Sequence, residues 1–211
     1  MSALRQAFQT FIDTAAAPVF TTWATPVSGL ELVAFVLAVA MVVLNVRVNP
    51  VAWPLACLSS LLYVTLFWNS RLYGDAGLQI FFATLALWGW WQWRRGTQAD
   101  GAVLQVRALP ARSRLGWLAV LGVAWPATGL FLKTFTDTDV PWWDAFPTAA
   151  SVIGQWLLGR KYVENWPVWI VVNVASVGLF AYKGLWLTTL LYGVFIVMSV
   201  IGWRTWRLML K

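Results

Sequence analysis

The stretch GWWQWR at residues 89–94 recurs 113 residues later as GWRTWR at residues 202–207. The same offset places Trp53-Pro54 on Trp166-Pro167. Laid over one another without a gap, residues 52–94 and 165–207 share 12 of their 43 residues. The chain therefore contains a duplicated unit. Duplication is typical of membrane carriers in which a substrate site lies between two related bundles.

The composition indicates a membrane protein. Of 211 residues, 60% are hydrophobic and 11% are charged, whereas about a quarter of the residues of an average soluble domain are charged. Histidine, the commonest metal ligand, is absent, and Cys57 is the single cysteine, so a disulfide within the chain and a thiolate metal cluster are excluded. We therefore expect no metal and no cofactor. An enzyme is disfavoured too, because no nucleophile–base pair can be assembled without histidine.

Seven stretches are apolar enough to cross a bilayer, which takes about 20 helical residues. They lie near residues 29–46, 51–69, 74–93, 114–132, 143–159, 165–181 and 185–206. By the offset, the first three correspond to the last three, and the fourth has no counterpart. Because this extra crossing restores the direction of insertion, we predict an all-α integral membrane fold. It consists of two parallel three-helix repeats joined by a linker helix, a 3+1+3 arrangement.

This prediction divides the chain into four parts. Residues 1–28 are predicted to form an interfacial helix, because apolar residues from Leu4 to Val19 recur there at helical spacing. The first three-helix repeat takes residues 29–94. A cytoplasmic loop and the linker helix take residues 95–142, and the second repeat with the C-terminal tail takes residues 143–211.

The basic residues predict the orientation. Eleven of the 15 fall on one side of the predicted bundle and four on the other. The richer side carries Arg47, Arg94, Arg95, Arg107, Arg112, Arg114, Arg160, Lys161, Arg204, Arg207 and Lys211. The positive-inside rule places that side in the cytoplasm, with the N-terminus outside and the C-terminus inside. The net charge of +7 is thus assigned to topology, and no nucleic-acid partner is expected.

The residues predicted at mid-depth in the membrane are neutral. Glu31 and Asp144 stand at helix starts, where a carboxylate is favoured by the helix dipole. Ionisable residues inside a membrane usually mark proton or ion pathways. Their absence from the middle of the spans argues against proton coupling and against an ion pump.

One polar stripe stands out on the sixth span. Trp166, Trp169 and Asn173 follow i, i+3, i+7 spacing and so share one helical face. Two indoles can stack on a flat ring, or hold a cationic ring by cation–π attraction, while the amide orients it. The alternative is that Trp166 belongs to the interfacial aromatic belt and Asn173 bonds a neighbouring helix.

Further polar residues fall on the other spans. Candidates for the same site are Asn45, Gln79, Gln155 and Tyr192. Gln79 and Tyr192 are equivalent by the offset, as are Ser60 and Asn173, so a cavity between the two repeats would be symmetric in shape and asymmetric in hydrogen bonding. Ser59, Ser60 and Thr84 are assigned to helix–helix hydrogen bonds.

Over residues 30–207 the sequence resembles the PnuC family of bacterial nicotinamide riboside transporters. Trp166, Trp169 and Asn173 match the family's Trp-x-x-Trp-x-x-x-Asn/Asp signature in full. The segments QWLL at residues 155–158, YKGL at 182–185 and LYGD at 72–75 are similar as well.

The resemblance implies a fold like that of SWEET sugar transporters and a homotrimer in the bacterial inner membrane. It also implies facilitated diffusion of nicotinamide riboside through a site that contains Trp166, Trp169 and Asn173. A cytoplasmic kinase would then phosphorylate the vitamin and so drive its uptake. Two alternatives stay open: the same mechanism for thiamine or riboflavin, and a non-transporting membrane subunit. The latter predicts no cavity of solute size.

Overall fold

The structure, a computed structural model, describes residues 18–22, 25–69, 73–98, 101–184 and 186–210. Seven helices make up most of this part of the chain. They are α1 Gly29–Val46, α2 Ala52–Asn69, α3 Tyr73–Arg95, α4 Ala111–Phe135, α5 Pro141–Gly159, α6 Asn165–Tyr182 and α7 Trp186–Leu208. The predicted helices are confirmed, and each helix end lies within three residues of its predicted position.

Length and hydropathy single out some of these helices as membrane spans. Among the described residues, α4, α6 and α7 are both long and apolar enough to cross a bilayer, and shorter apolar segments lie in α1 and α2. In contrast, α5 has buried residues along nearly its whole length. Less of its surface therefore needs to be apolar for contact with lipid.

Two described segments differ from the interfacial helix predicted for residues 1–28. They are the strands β1 Pro18–Thr22 and β2 Thr25–Ser28, which pair antiparallel. This segment is rich in threonine, valine and proline. β-Branched residues favour strands, and proline has no N–H to donate inside a helix. The remainder of the predicted helix, residues 1–17 and 23–24, lies outside the described residues.

The helices pack as two groups of three with α4 between them in the chain. In the first half, residues 29–95, α2 packs against α1 and α3. In the second half, residues 141–208, α6 packs against α5 and α7. The halves meet where α1 contacts α7 and where α3 contacts α5, so each of these helix pairs has its counterpart at the offset of 113.

The turns α1–α2 and α5–α6 repeat each other in detail. The N–H of Val48 donates to the carbonyl of Asn45, and the N–H of Lys161 donates to the carbonyl of Leu158, both at 3.0 Å. Val48 and Lys161 both have a positive φ, of 53° and 55°. The left-handed conformation costs a residue with a side chain about 1–2 kcal/mol. That the same unfavourable conformation occurs twice shows that the surrounding structure imposes it.

In each half, one glycine lies directly against a tryptophan ring. A Cβ atom on Gly89 would come within 2.2 Å of the Trp53 ring, and one on Gly202 within 2.6 Å of the Trp166 ring. No real side chain makes contacts this short, so only glycine fits at either position. Small residues let helices approach closely, which is the main source of helix packing inside a membrane.

The motif tryptophans join the two halves. Trp93 packs edge-on against Trp53 with ring centres 5.6 Å apart, and Trp206 packs in the same way against Trp166 at 5.5 Å. Trp93 and Trp206 also contact each other at 6.1 Å. With Leu158 and other apolar residues, these four rings form the largest buried cluster of the described chain.

Helix α4 packs mainly on α5 and is otherwise exposed. The Trp125 indole N–H donates to the carbonyl of Trp142 at 2.8 Å, and Gly129 leaves room for the Trp142 ring. The apolar side chains on the other face of α4 meet no described part of the chain. An exposed apolar surface of this kind suits contact with lipid.

The bundle has one strongly basic end, where α1, α3, α5 and α7 finish and the described loop residues 96–98 and 101–110 pack. The buried Lys161 ammonium donates to the carbonyl of Leu104 at 3.0 Å and lies 5.2 Å from the centre of the Trp93 ring. Burial lowers the pKa of Lys161, and these two contacts offset part of the cost of its charge. Glu164 accepts from the N–H of Leu109 and from Arg114, which ties the loop to the α5–α6 turn.

The glycine contacts generate a prediction about stability. We expect Gly202→Ala to destabilise the protein by about 1–3 kcal/mol, because the new methyl group overlaps a rigid indole that is itself buried. The matched control is Gly193→Ala in the same helix, where a Cβ meets no described atom within 4 Å. There alanine should be neutral or stabilising. Thermal unfolding in detergent measures both changes, and equal melting temperatures for the two variants would contradict the prediction.

Candidate functional site

A cavity of about 260 Å³ lies between the two halves. Its lining comes from α1, α2, α3, α5, α6 and α7, and no described residue of α4 contributes. Most lining residues belong to the ends of α1 and α5 and to the beginnings of α2 and α6. The cavity therefore lies toward the basic end of the bundle.

The seven residues predicted from the sequence all line this one cavity. They are Asn45 from α1, Gln79 from α3, Gln155 from α5, Trp166, Trp169 and Asn173 from α6, and Tyr192 from α7. The whole lining comes from six helices, so no short-range pattern in the sequence could have predicted that these residues lie together.

The lining is paired at the offset of 113, but the paired residues differ in chemistry. Trp53 corresponds to Trp166 and Phe82 corresponds to Phe195 as identical pairs. The other pairs are Ala38 with Ser151, Val42 with Gln155, Asn45 with Leu158, Ala56 with Trp169, Ser60 with Asn173 and Gln79 with Tyr192. In each of these six pairs the side chain from the second half is the larger. The first half therefore leaves more of the space in the cavity.

The two tryptophans of the stripe have different surroundings. Trp166 is only 2% exposed, because the Gly202 backbone and the edge of Trp206 cover it. Trp169 is half-buried and rests on Gly154, whose missing side chain leaves room for the indole. Trp169 therefore has the more accessible ring of the two. Its counterpart Ala56 leaves space on the opposite side of the cavity.

The amides of the cavity are buried. Asn173 donates through Nδ2 to the hydroxyl oxygen of Ser199 at 3.3 Å, and both residues are almost fully buried. The side-chain oxygen of Asn45 is buried without a hydrogen-bond partner among the described residues. A buried polar atom left without a partner costs about 1–3 kcal/mol, so this oxygen favours an added donor.

Tyr192 belongs to an aromatic wall. Its ring lies 5.0 Å from that of Phe180 and 5.7 Å from that of Phe195. Each described residue that lines the cavity is uncharged. A lining of indoles, phenyl rings, amides and hydroxyls suits a flat polar ring, including one that carries a delocalised positive charge.

Sequence reasoning missed part of the lining. Ser59 and Ser60 line the cavity, although they were assigned to helix–helix hydrogen bonds, and Thr84 bonds the carbonyl of Ile80 in its own helix at 2.9 Å. Trp53 could have been found from the offset, since it is the counterpart of Trp166. Ser199 could not, because its counterpart is the apolar Ala86.

Comparison with known proteins agrees with this architecture. A family model described as nicotinamide mononucleotide transporter matches residues 28–208. The chain is 31% identical over 169 residues to the nicotinamide riboside transporter PnuC of Escherichia coli (strain K12), covering 69% of this chain and 71% of that protein. It is 30% identical over 181 residues to the riboflavin/roseoflavin transporter RibM of Streptomyces davaonensis, covering 84% of each.

A solved structure shares the fold. The crystal structure of the vitamin B3 transporter PnuC superposes with a TM-score of 0.69 over 85% of this chain and 81% of that one, at 24% sequence identity. Since the family model spans nearly all of α1 to α7, the match includes every helix that lines the cavity. The chain therefore belongs to the nicotinamide mononucleotide transporter family, that of the PnuC transporters.

Proposed function

We propose that the protein is a uniporter that carries nicotinamide riboside by facilitated diffusion. The observation that carries this proposal is one cavity that is lined both by Trp166, Trp169 and Asn173 from α6 and by polar groups from α1, α3, α5 and α7. The indoles stack on the nicotinamide ring, and the amides bond its polar edge and the ribose. A cavity of this size also argues against a non-transporting subunit.

The volume of the cavity bears on which vitamin is carried. Small-molecule sites usually measure about 300–1,000 Å³, so about 260 Å³ is at the small end of the range. This favours a nucleoside with a single aromatic ring over riboflavin, whose ring system has three fused rings. Riboflavin remains the alternative that the likeness to RibM supports, and thiamine is a further alternative.

The uncharged lining supports uniport. The described acidic residues, such as Asp144 and Glu164, lie at helix ends rather than among the residues that line the cavity. Proton-coupled carriers use ionisable groups near the substrate. We therefore propose that the solute equilibrates, and that phosphorylation by a cytoplasmic kinase drives its net uptake.

We propose the 3+1+3 arrangement of parallel repeats for the membrane-embedded chain, as in SWEET transporters. The matched turns, the matched glycine–tryptophan contacts and the paired lining support it. In this arrangement the basic end faces the cytoplasm of a bacterial inner membrane, and the N-terminus lies outside. A homotrimer completes the proposal on the strength of the family resemblance, and α4 offers it an exposed apolar face.

The substrate is tested by calorimetry of the purified protein with nicotinamide riboside, thiamine, riboflavin and a simple sugar. We expect nicotinamide riboside to bind best and the sugar not to bind. Preferred binding of riboflavin or thiamine would assign the other vitamin. Absence of binding by all four would contradict a vitamin site.

Substitutions within the cavity test the stacking model. Trp169→Ala should weaken binding about 5- to 150-fold, the loss that follows from removing one stacked aromatic ring. Asn173→Leu should also weaken binding, because a buried polar atom of the ligand would lose its partner. Trp166→Ala should additionally lower stability, since Trp166 fills the space at Gly202.

Trp53→Ala is the matched comparison. Trp53 occupies the position equivalent to Trp166 but has Ala56 where the second half has Trp169, so we expect it to disturb binding less than Trp169→Ala does. Unchanged affinity in folded Trp166→Ala and Trp169→Ala variants would contradict stacking and support the interfacial-belt interpretation.

Energy coupling is tested by measuring uptake into liposomes that contain the purified protein but no kinase. Substrate should enter until its concentrations are equal on the two sides and then stop, because no described lining residue is a carboxylate, a histidine or a basic group. An imposed pH or sodium gradient should leave that end point unchanged. Accumulation above the outside concentration would contradict uniport.

Orientation is tested with a cysteine at Val103, in a Cys57→Ala background. Val103 is 73% exposed in the loop of the basic end, whereas Gly101 has a φ of +82° that a cysteine would not adopt readily. In intact cells an impermeant thiol reagent should leave Val103→Cys unmodified, and it should react after permeabilisation. Modification in intact cells would reverse the assignment.

A further inference from the structure

Four tryptophans close the cavity toward the basic end. Trp53 and Trp166 line the cavity, and Trp93 and Trp206, which are not among its lining residues, pack against these two rings. Trp206 is fully buried and Trp93 is only 7% exposed. Apolar residues from the basic end, among them Val106, pack against the same cluster. A solute that leaves the cavity at this end has to displace this layer.

Hydrogen bonds from two indoles hold the layer in place, and all of them cross from one half to the other. Trp93 on α3 donates through Nε1 to the carbonyl of Leu158 on α5 at 3.0 Å. Trp206 on α7 donates to the carbonyls of Asn45 and Val46 on α1, at 3.2 and 3.1 Å. The two donors are 113 residues apart, and so are the acceptors Asn45 and Leu158. The two contacts thus form a matched pair on opposite sides of the closure.

We propose that Trp93 and Trp206 are the paired latches of the gate through which the carried solute passes at the basic end. In the closed state each indole N–H binds the last turn of the first helix of the other half. In the open state the bonds of both indoles break, α1 separates from α7, and α5 separates from α3. This inference rests on the proposed transport function but does not depend on which vitamin is carried.

The acceptors suit a bond that must break and reform. The carbonyl of Asn45 also accepts from the N–H of Val48, and the carbonyl of Leu158 also accepts from the N–H of Lys161. The carbonyls of Asn45 and Leu158 therefore keep a partner when the indoles depart. At these two carbonyls, opening does not incur the large cost of a buried, unpaired acceptor in an apolar setting.

The other tryptophans of the cluster and the motif do not act as latches. The indole nitrogens of Trp53 and Trp166 are buried and have no hydrogen-bond partner among the described residues. Trp90 and Trp203, the first tryptophans of each motif, lie under the guanidinium groups of Arg94 and Arg207 at 5.6 and 5.5 Å. The motif therefore combines one arginine-covered tryptophan with one latch, three residues further on.

Replacing each latch by phenylalanine removes the N–H and keeps an aromatic ring in the cluster. The reporter is Ala56→Cys, a residue that lines the cavity, in a Cys57→Ala background. An impermeant thiol reagent is applied to inside-out and to right-side-out membrane vesicles without substrate. We expect Trp93→Phe and Trp206→Phe each to raise the modification rate from the basic end about 2- to 13-fold, the effect of losing one hydrogen bond. The double variant should approach the product of the two factors.

The matched controls are Trp90→Phe and Trp203→Phe, which carry the same substitution in the same motif and should leave the rate unchanged. Melting temperatures establish that each variant is folded. If the fully buried Trp206 does not tolerate the change, Trp93→Phe gives the same test from the other half. An unchanged rate in the folded latch variants, or an equal rise from both faces of the membrane, would overturn the proposal.

This experiment separates the latch from the proposed function. Thiol modification needs no substrate, so it reports on the gate even if none of the vitamins binds. Conversely, if the latch variants modify at the wild-type rate while the protein binds nicotinamide riboside, only the latch is wrong.

Discussion

Helices in a lipid bilayer gain little from hydrophobic burial against one another, because the lipid tails are as apolar as the side chains. Close packing and hydrogen bonds between helices have to hold them together instead. In this protein the indoles of Trp93 and Trp206 supply both at the basic end. Each ring packs against a second tryptophan, and each N–H reaches the end of a helix in the other half. The close approach that they require is made possible by Gly89 and Gly202, at which any side chain would overlap a ring.

The contacts that hold the helices together are nearly the same in the two halves, whereas the residues that line the cavity are not. The turns, the glycine contacts and the latches all recur at the offset of 113. Among the lining residues, only Trp53 with Trp166 and Phe82 with Phe195 are identical pairs. Residues that bear on folding have thus stayed alike, and residues that face the solute space differ. A carried molecule is asymmetric, so its recognition requires lining residues that differ between the two halves. Helix packing has no such requirement.

Charge is kept at the two ends of the bundle. Asp144 and Lys183 form an ion pair at 3.1 Å at one end, and Arg114 and Glu164 form one at 2.8 Å at the basic end. Exposed pairs of this kind contribute at most about 1 kcal/mol each. Their more important role is to fix the loops, since Glu164 also binds the backbone of Leu109. Among the charged residues that the structure describes, Lys161 is buried. Its ammonium group donates to the carbonyl of Leu104, and Lys161 is not among the residues that line the cavity.

The sequence by itself determined the seven helices, because apolar stretches of bilayer length between charged loops allow few other structures. It also determined the pairing of Trp53 with Trp166 and Gly89 with Gly202, since a constant offset requires no knowledge of the fold. The stripe of Trp166, Trp169 and Asn173 followed from helical periodicity alone. Local sequence was misleading before Gly29, where apolar spacing predicted a helix but Pro18–Thr22 and Thr25–Ser28 are paired strands.

Only the tertiary structure decided how these elements meet. Helical spacing made Trp166 and Trp169 equal candidates, but Gly202 and Trp206 cover the first ring and leave the second more open. The cavity needs side chains from six helices, and Ser199 has no signal that marks it as a partner of Asn173. The latches could not be predicted from the sequence either, since Trp93 and its acceptor Leu158 are 65 residues apart. Periodicity and offset describe one helix or two equivalent positions, whereas contacts between non-equivalent helices depend on how the whole bundle packs.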